Sequence, residues 1–188
     1  MADIPQIPTN IRVHLGSPGS DAPTVTLSFA DYIKNVASSE IYSTWDTAAL
    51  RANILSQVSF ALNRIYTEWY PSRGYDYDIT SDTYYDQKFI NNRNIYENIS
   101  LIVDELFNDY LRKSGTINPF FAQYCNGTTV TFDGLSQWGS QTLANQGYSD
   151  VDILEYYYGD DIEIVVNAPI AENIHSYHDT PLKRGALN

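Results

Sequence analysis

The sequence predicts an α+β domain in which two long helices pack on antiparallel strands. Three observations carry this expectation. Apolar residues recur every three or four positions in two long stretches, Leu50, Ile54, Val58, Ala61, Ile65 and Trp69 in one and Ile99, Ile102, Val103, Leu106, Tyr110 and Leu111 in the other. Short runs of period two, such as Ile11-Arg12-Val13-His14-Leu15, stand between turn signals. A chain of 188 residues, 43% hydrophobic, supplies the core of one domain.

Each element follows from local chemistry. The strand at 11–15 ends in Gly16-Ser17-Pro18-Gly19-Ser20, where Gly and Pro punctuate a loop. Thr24 to Ser28 forms a second strand, and Ser28 is placed to cap a helix from Phe29 to about Ser39. Glu40 then falls at the C-terminal end of that helix, where the carbonyl dipoles raise the cost of ionising a carboxyl and favour its protonated form. Asp46 or Thr47 opens the longest helix, the buried central one, which runs to Trp69 before Pro71 stops it. Residues 70–94, rich in Tyr, Asp and Asn, form a long ordered loop or short hairpin of the kind that carries function. The second long helix spans 95–113 and ends at Gly115. Phe120 to Cys125 and Thr128 to Phe132 are expected to be strands around Asn126-Gly127, a hairpin signal. Short helices follow at Ser136 to Gln146 and Ser149 to Tyr158, then a last strand at Asp161 to Val166. Residues 1–166 thus make the domain, and 167–188, with two prolines and little periodicity, a tail or linker.

Charge narrows the partners. Eleven Lys and Arg against 23 Asp and Glu leave a net charge of −12, a field that repels nucleic-acid phosphates and anionic membrane surfaces. Only 18% of residues are charged while Tyr occurs 16 times, so the surface is expected to be polar and uncharged to an unusual degree, as suits carbohydrate. The single cysteine, Cys125, forms no intramolecular disulfide, and three histidines do not supply a structural zinc cluster, so no metal or other cofactor is expected. No apolar run approaches the roughly 18 residues of a membrane span, and the polar, Pro-containing start lacks the pattern of a signal peptide.

Two ordered motifs carry a family resemblance. Leu27-Ser28-Phe29-Ala30-Asp31-Tyr32-Ile33 leads to Glu40 and is followed by Ala48-Ala49-Leu50-Arg51-Ala52. About a hundred residues downstream stands Gly134-Leu135-Ser136-Gln137-Trp138-Gly139-Ser140, with Gln123-Tyr124-Cys125-Asn126-Gly127-Thr128 between. Together these resemble the SpoIID/LytB family over roughly residues 11–166. They are similar in particular to the catalytic domain of clostridial spore cortex-lytic enzymes of the SleC type. In that group a peptidoglycan-binding module normally follows, and Pro181-Leu182-Lys183-Arg184-Gly185 resembles the opening of one.

The resemblance implies a SpoIID-like fold and lytic transglycosylation of peptidoglycan between N-acetylmuramic acid and N-acetylglucosamine, in spore cortex or cell wall, with Glu40 as the catalytic residue. Most glycosidases use two carboxyl groups. A lytic transglycosylase needs one, because the C6 hydroxyl of the sugar attacks and closes a 1,6-anhydro ring. Glu40 would protonate the glycosidic oxygen and then accept the C6 hydroxyl proton, which requires a raised pKa; burial beside Tyr42 and Trp45 would raise it. Ser136 and Gln137 are candidate hydrogen-bonding groups of the glycan groove, although Ser136 also suits a helix cap. Trp138 and Tyr124 are candidate stacking faces for sugars, or core aromatics. Arg51 is a candidate for holding a carboxylate or acetamido oxygen, or else a surface ion pair. A catalytically silent glycan-binding module, or a hydrolase pairing Glu40 with Asp46 or Asp133, remain the alternatives.

The chain departs from the family at definite places. Zinc-bearing members carry His and Cys in the segment matching Asp82-Thr83-Tyr84-Tyr85-Asp86-Gln87, which has neither. The glycine-histidine-glycine before the second motif is replaced by Val130-Thr131-Phe132, a glutamine by Asn53, and an arginine by Val58 or Gln57. His175, His178 and Asp179 cluster in the expected tail without a third ordered ligand. His14 is read as a structural hydrogen-bonder and Cys125 as a buried, inert thiol.

Overall fold

The computed structural model describes residues 4–129 and 133–172. It is a mixed α+β domain of five helices and small sheets among the described residues. Strand β1 (Asn10–His14) pairs antiparallel with β2 (Thr24–Ser28), Ile11 opposite Leu27 and Val13 opposite Val25. Ser28 turns the chain directly into helix α1 (Phe29–Glu40), its hydroxyl accepting from the Asp31 N–H. The buried face of α1 is Phe29, Tyr32, Ile33, Val36 and Ala37. At its end Ile41 turns extended, leaving Glu40 as the last helical residue.

Helix α2 (Thr47–Tyr66) starts at the Asp46 cap and is buried on nearly every side, with α1 and the later helices Glu97–Leu106, Gln137–Asn145 and Asp150–Tyr158 all packed on it. Its interior carries polar side chains as well as Leu50, Ile54, Leu55 and Val58, and Asn53, Ser56, Gln57, Ser59 and Arg64 each donate a hydrogen bond. Asn53 Nδ2 donates to the Ala49 carbonyl and to Ser140 Oγ, and Ser59 Oγ donates to the Phe120 carbonyl at 2.7 Å. These bonds tie the hub of the fold to surrounding segments at points where apolar packing alone would not set the register. The helix stops three residues before Trp69, because Glu68 takes a left-handed φ of 50°.

Residues 70–94 are an ordered loop rather than a hairpin. A 3₁₀ turn (Pro71–Arg73) leads to β3 (Ile79–Thr80), which adds to β1 in parallel. The loop then folds back over α2 through a buried cluster. Asp86, its side chain fully buried, accepts from Arg64 Nε at 2.8 Å, from Tyr70 Oη, and from Thr80 N and Oγ1. Gln87 donates to the Gln57 carbonyl and accepts from Tyr32 Oη.

The second long helix is shorter than its periodicity predicts. Helix α3 covers only Glu97–Leu106, and Tyr110–Lys113 form strand β4, paired antiparallel with β7 (Ile162–Val165). The apolar spacing of Tyr110 and Leu111 fits either period, and pairing with a partner fifty residues away decides it. The strand expected at Phe120 to Cys125 is also shorter. Asn126 does make a turn, its Oδ1 accepting from the Thr128 and Thr129 N–H groups, and Gly127 has φ 81°. Yet β5 is only Tyr124–Cys125, and it pairs in parallel with β6 (Leu135–Ser136). Val130, Thr131 and Phe132 lie outside the described residues. Helices α4 (Gln137–Asn145) and α5 (Asp150–Tyr158) follow, capped by Ser136 and Ser149.

Residues 167–171 pack on the domain instead of leaving it. Ile7 N–H donates to the Pro169 carbonyl, Ala171 N–H to the Ile7 carbonyl, and Ala168 is buried. His175, His178, Asp179 and the segment 181–185 lie outside the described residues. No helix among the described residues is long and apolar enough to cross a membrane.

Candidate functional site

Glu40, Gln57, Lys88, Tyr124, Gln137 and Trp138 come together from five separate parts of the chain. Gln57 Nε2 donates to Glu40 Oε2 at 2.9 Å, and the Lys88 backbone N–H donates to Oε1 at 2.8 Å. Gln137 Nε2 lies at the limit of hydrogen bonding, 3.5 Å from Oε2. The Tyr124 hydroxyl is buried beside the carboxyl, close enough to affect its charge, but meets no partner at hydrogen-bond geometry among the described residues. Gln57 Oε1 is likewise buried without a partner among them.

Burial pushes the Glu40 pKa up to about 7, against the Lys88 N–H, Tyr124, Gln57 and the Lys88 charge, which all favour the carboxylate. The balance is informative. Donors keep the anion tolerable, while loss of water keeps the proton near neutral pH. The same burial, with the charge of Glu40 next, holds the Tyr124 phenol well above its ordinary pKa, so it stays protonated.

The half-buried carboxyl opens into a cleft of about 440 Å³. Its outer wall is an aromatic group: Trp138 has its ring centroid 5.4 Å from Tyr42 and 5.0 Å from Trp45, and Tyr42 and Trp138 are 57% and 42% exposed. Such faces suit the C–H side of a pyranose ring, and the flanking amides suit its hydroxyl and acetamido groups. Asp86 also lines the cleft, but its carboxylate is taken up by Arg64, Tyr70 and Thr80. Asp46 caps α2, and Asp133 lines a different hollow beside Tyr157. Neither lines the cleft of Glu40. No group of three or more His, Cys, Asp or Glu among the described residues is arranged to hold a metal.

The other sequence candidates have other places. Arg51 is held by Asp150 and Glu105, joining α2 to α5 and α3, and does not line the cleft. Ser136 caps α4 by accepting from the Gly139 N–H at 2.9 Å; a Cβ on Gly127 would collide with its hydroxyl. It too is absent from the cleft wall. His14 is buried, stacked on Tyr77 and bonded to Ser20 Oγ. Cys125 is buried on β5 at the cleft's edge.

Sequence reasoning passed over Gln57 as a site residue, because an amide inside an apolar helix reads as a packing exception. It also passed over Lys88, whose contribution is a backbone N–H that no side-chain pattern reveals. Asp86 had a signal available, as a lone acid between Tyr85 and Gln87 with Arg64 in the preceding helix, but only the fold pairs them.

No protein-family model matches the chain, and no curated protein matches it at a significant level. The likeness to the SpoIID/LytB family is therefore carried by the two motifs themselves.

Proposed function

We propose that this domain is a peptidoglycan lytic transglycosylase, with Glu40 as its single acid/base. The observation that carries the reading is a carboxyl with a pKa of about 7, clasped by amide donors, in a cleft walled by exposed aromatic rings whose other carboxyl, Asp86, is paired with Arg64. In the proposed reaction protonated Glu40 gives its proton to the glycosidic oxygen as the bond from C1 of N-acetylmuramic acid breaks. The carboxylate then takes the proton of the C6 hydroxyl as O6 closes on C1, so the proton is returned and no water is consumed. A second carboxyl has no part in this sequence, which agrees with Asp86 being fully engaged and with Asp46 and Asp133 lying elsewhere. The motif resemblance supports spore cortex glycan as the substrate source. Gln137 and Trp138 would bind the sugars, Tyr124 would back the carboxyl, and Arg51 and Ser136 would act through the scaffold.

Digestion of purified spore cortex by the parent and by Glu40→Gln, with mass spectrometry of the products, tests this. Anhydro-muramyl ends, one water lighter than hydrated ends, are expected from the parent and absent from the variant. Hydrated ends would make the protein a hydrolase. Cortex binding without products from either protein would make it a glycan-binding module.

A further inference from the structure

Beyond Tyr124 lies a second hollow of about 400 Å³, close in size to the Glu40 cleft and joined to it through shared walls at Thr83, Asp86 and Tyr124. Tyr84, Tyr85, Phe121 and Gln123 line this second hollow and not the Glu40 cleft. Tyr84 is 86% exposed and Tyr85 47%, their rings edge to face at 5.0 Å. Exposed aromatic side chains on a mobile loop would be unremarkable. These two sit on a fixed turn: Tyr84 N–H donates to Asp82 Oδ1, and the Tyr85 and Asp86 N–H groups donate to the Asp82 carbonyl. The turn is then anchored in the core through the Arg64–Asp86 pair, and Arg64 also bonds the Tyr85 carbonyl. Tyrosines whose backbone is held in place before binding lose less conformational freedom when a ligand stacks on them than tyrosines on a mobile loop.

Two adjoining hollows of similar volume suit a linear polymer of like units better than one compact ligand. Each falls within the roughly 300–1,000 Å³ of small-molecule sites. The Trp69 ring, which also borders the second hollow, has Arg64 and Arg73 over it and is less open to a sugar than the tyrosines. We infer that the hollow of Tyr84, Tyr85, Phe121 and Gln123 is a second set of sugar subsites, which holds the same glycan strand where it continues past Tyr124. This rests on the glycan reading of the Glu40 cleft and adds that the protein grips its strand on both sides of that cleft's inner wall.

The test uses the Glu40→Gln protein, titrated calorimetrically with β-1,4-linked N-acetylglucosamine dimer and hexamer. The hexamer is expected to bind roughly tenfold or more tighter than the dimer, a difference of about 1.4 kcal/mol. Adding Tyr84→Ala/Tyr85→Ala is expected to remove that gain while leaving dimer affinity unchanged. Tyr84→Ala alone, at a side chain in solvent, is expected to lose part of the gain at an unaltered melting temperature. Equal affinity for dimer and hexamer would overturn the inference and leave the glycan reading intact. So would hexamer binding that Trp138→Ala weakens and both tyrosine variants leave untouched. Absence of binding to either oligomer and to cortex would bring down the glycan reading, and this inference with it.

Discussion

Four contributions near Glu40 favour its charged form: the Lys88 N–H, the Tyr124 hydroxyl, the Gln57 amide and the Lys88 charge. Its pKa nevertheless stands at about 7, so loss of solvent outweighs their sum. The folded chain holds this proton up to about pH 7, whereas an ordinary glutamate releases it near 4.5. Between these values the folded state binds more protons, so stability falls as pH rises through the window, by up to roughly 3 kcal/mol at about 1.4 per unit. Glu40→Gln lacks that slope. Its melting temperature, compared with the parent at about pH 5 and about pH 8, is expected to shift in the variant's favour at the higher pH. In the proposed reaction the acid must start protonated, so activity declines as pH rises through about 7. Gln57→Leu removes a donor to the carboxylate and is expected to move that decline to higher pH, read from the pH profile of cortex digestion. A decline left in place would mean that the amide does not tune the acid.

At the scale of elements, the loop between β3 and α3 is held by the buried Arg64–Asp86 pair and delivers Lys88 N–H to Glu40. A buried pair of this kind contributes little net stability over an apolar substitute, but removing one partner strands the other charge. Asp86→Ala would leave the Arg64 guanidinium, 8% exposed, without its carboxylate. The expected cost is about 3–5 kcal/mol, measured by denaturant unfolding. Activity is expected to fall with it, because the loop then no longer presents Lys88 to the carboxyl. Arg64→Met/Asp86→Leu, which removes both charges, is expected to recover part of the stability, because Tyr70 Oη and the Thr80 N–H and hydroxyl still lose their acceptor. If that double variant also recovers the parental pH profile, the pair acts only through the fold, with the apolar substitute holding the loop equally well.

For the molecule as a whole, the two ends of the described chain close the fold on each other. Ile7 is fully buried, bonded to the 169–171 segment on both its N–H and its carbonyl, and Thr9 Oγ1 donates to the Ala171 carbonyl. A chain cut after Val166 loses those bonds and the Ala168 contact. It is expected to melt below a chain cut after Glu172, the uncovering of Ile7 alone costing of order 2 kcal/mol. The charge of −12 is also a property of the whole, and it sets the molecule against polyanions whatever any single site does.

Capped helices were legible because their signals are local. Ser28, Asp46, Ser136 and Ser149 each announce a helix start with a side chain that reaches an N–H two or three residues on. The β1 and β2 strands were legible for the same reason, their alternation being written within five residues each. The split of 95–113 into helix and strand was not, since β4 exists only through its pairing with 162–165. Nor was the parallel pairing of Tyr124–Cys125 with Leu135–Ser136, which joins residues eleven apart in the chain through the fold alone. In the site, the resemblance of the first motif pointed to Glu40, and that of the second to Gln137 and Trp138. Arg51 and Ser136 belong to the same motifs yet point to other duties, because motif spacing places residues on an element without saying which way they face. The pairing of Gln57 and the Lys88 backbone with Glu40 was settled by tertiary structure alone. A carboxyl's proton is held or released by the solvent it has lost and the donors around it, and both are assembled from distant parts of the chain.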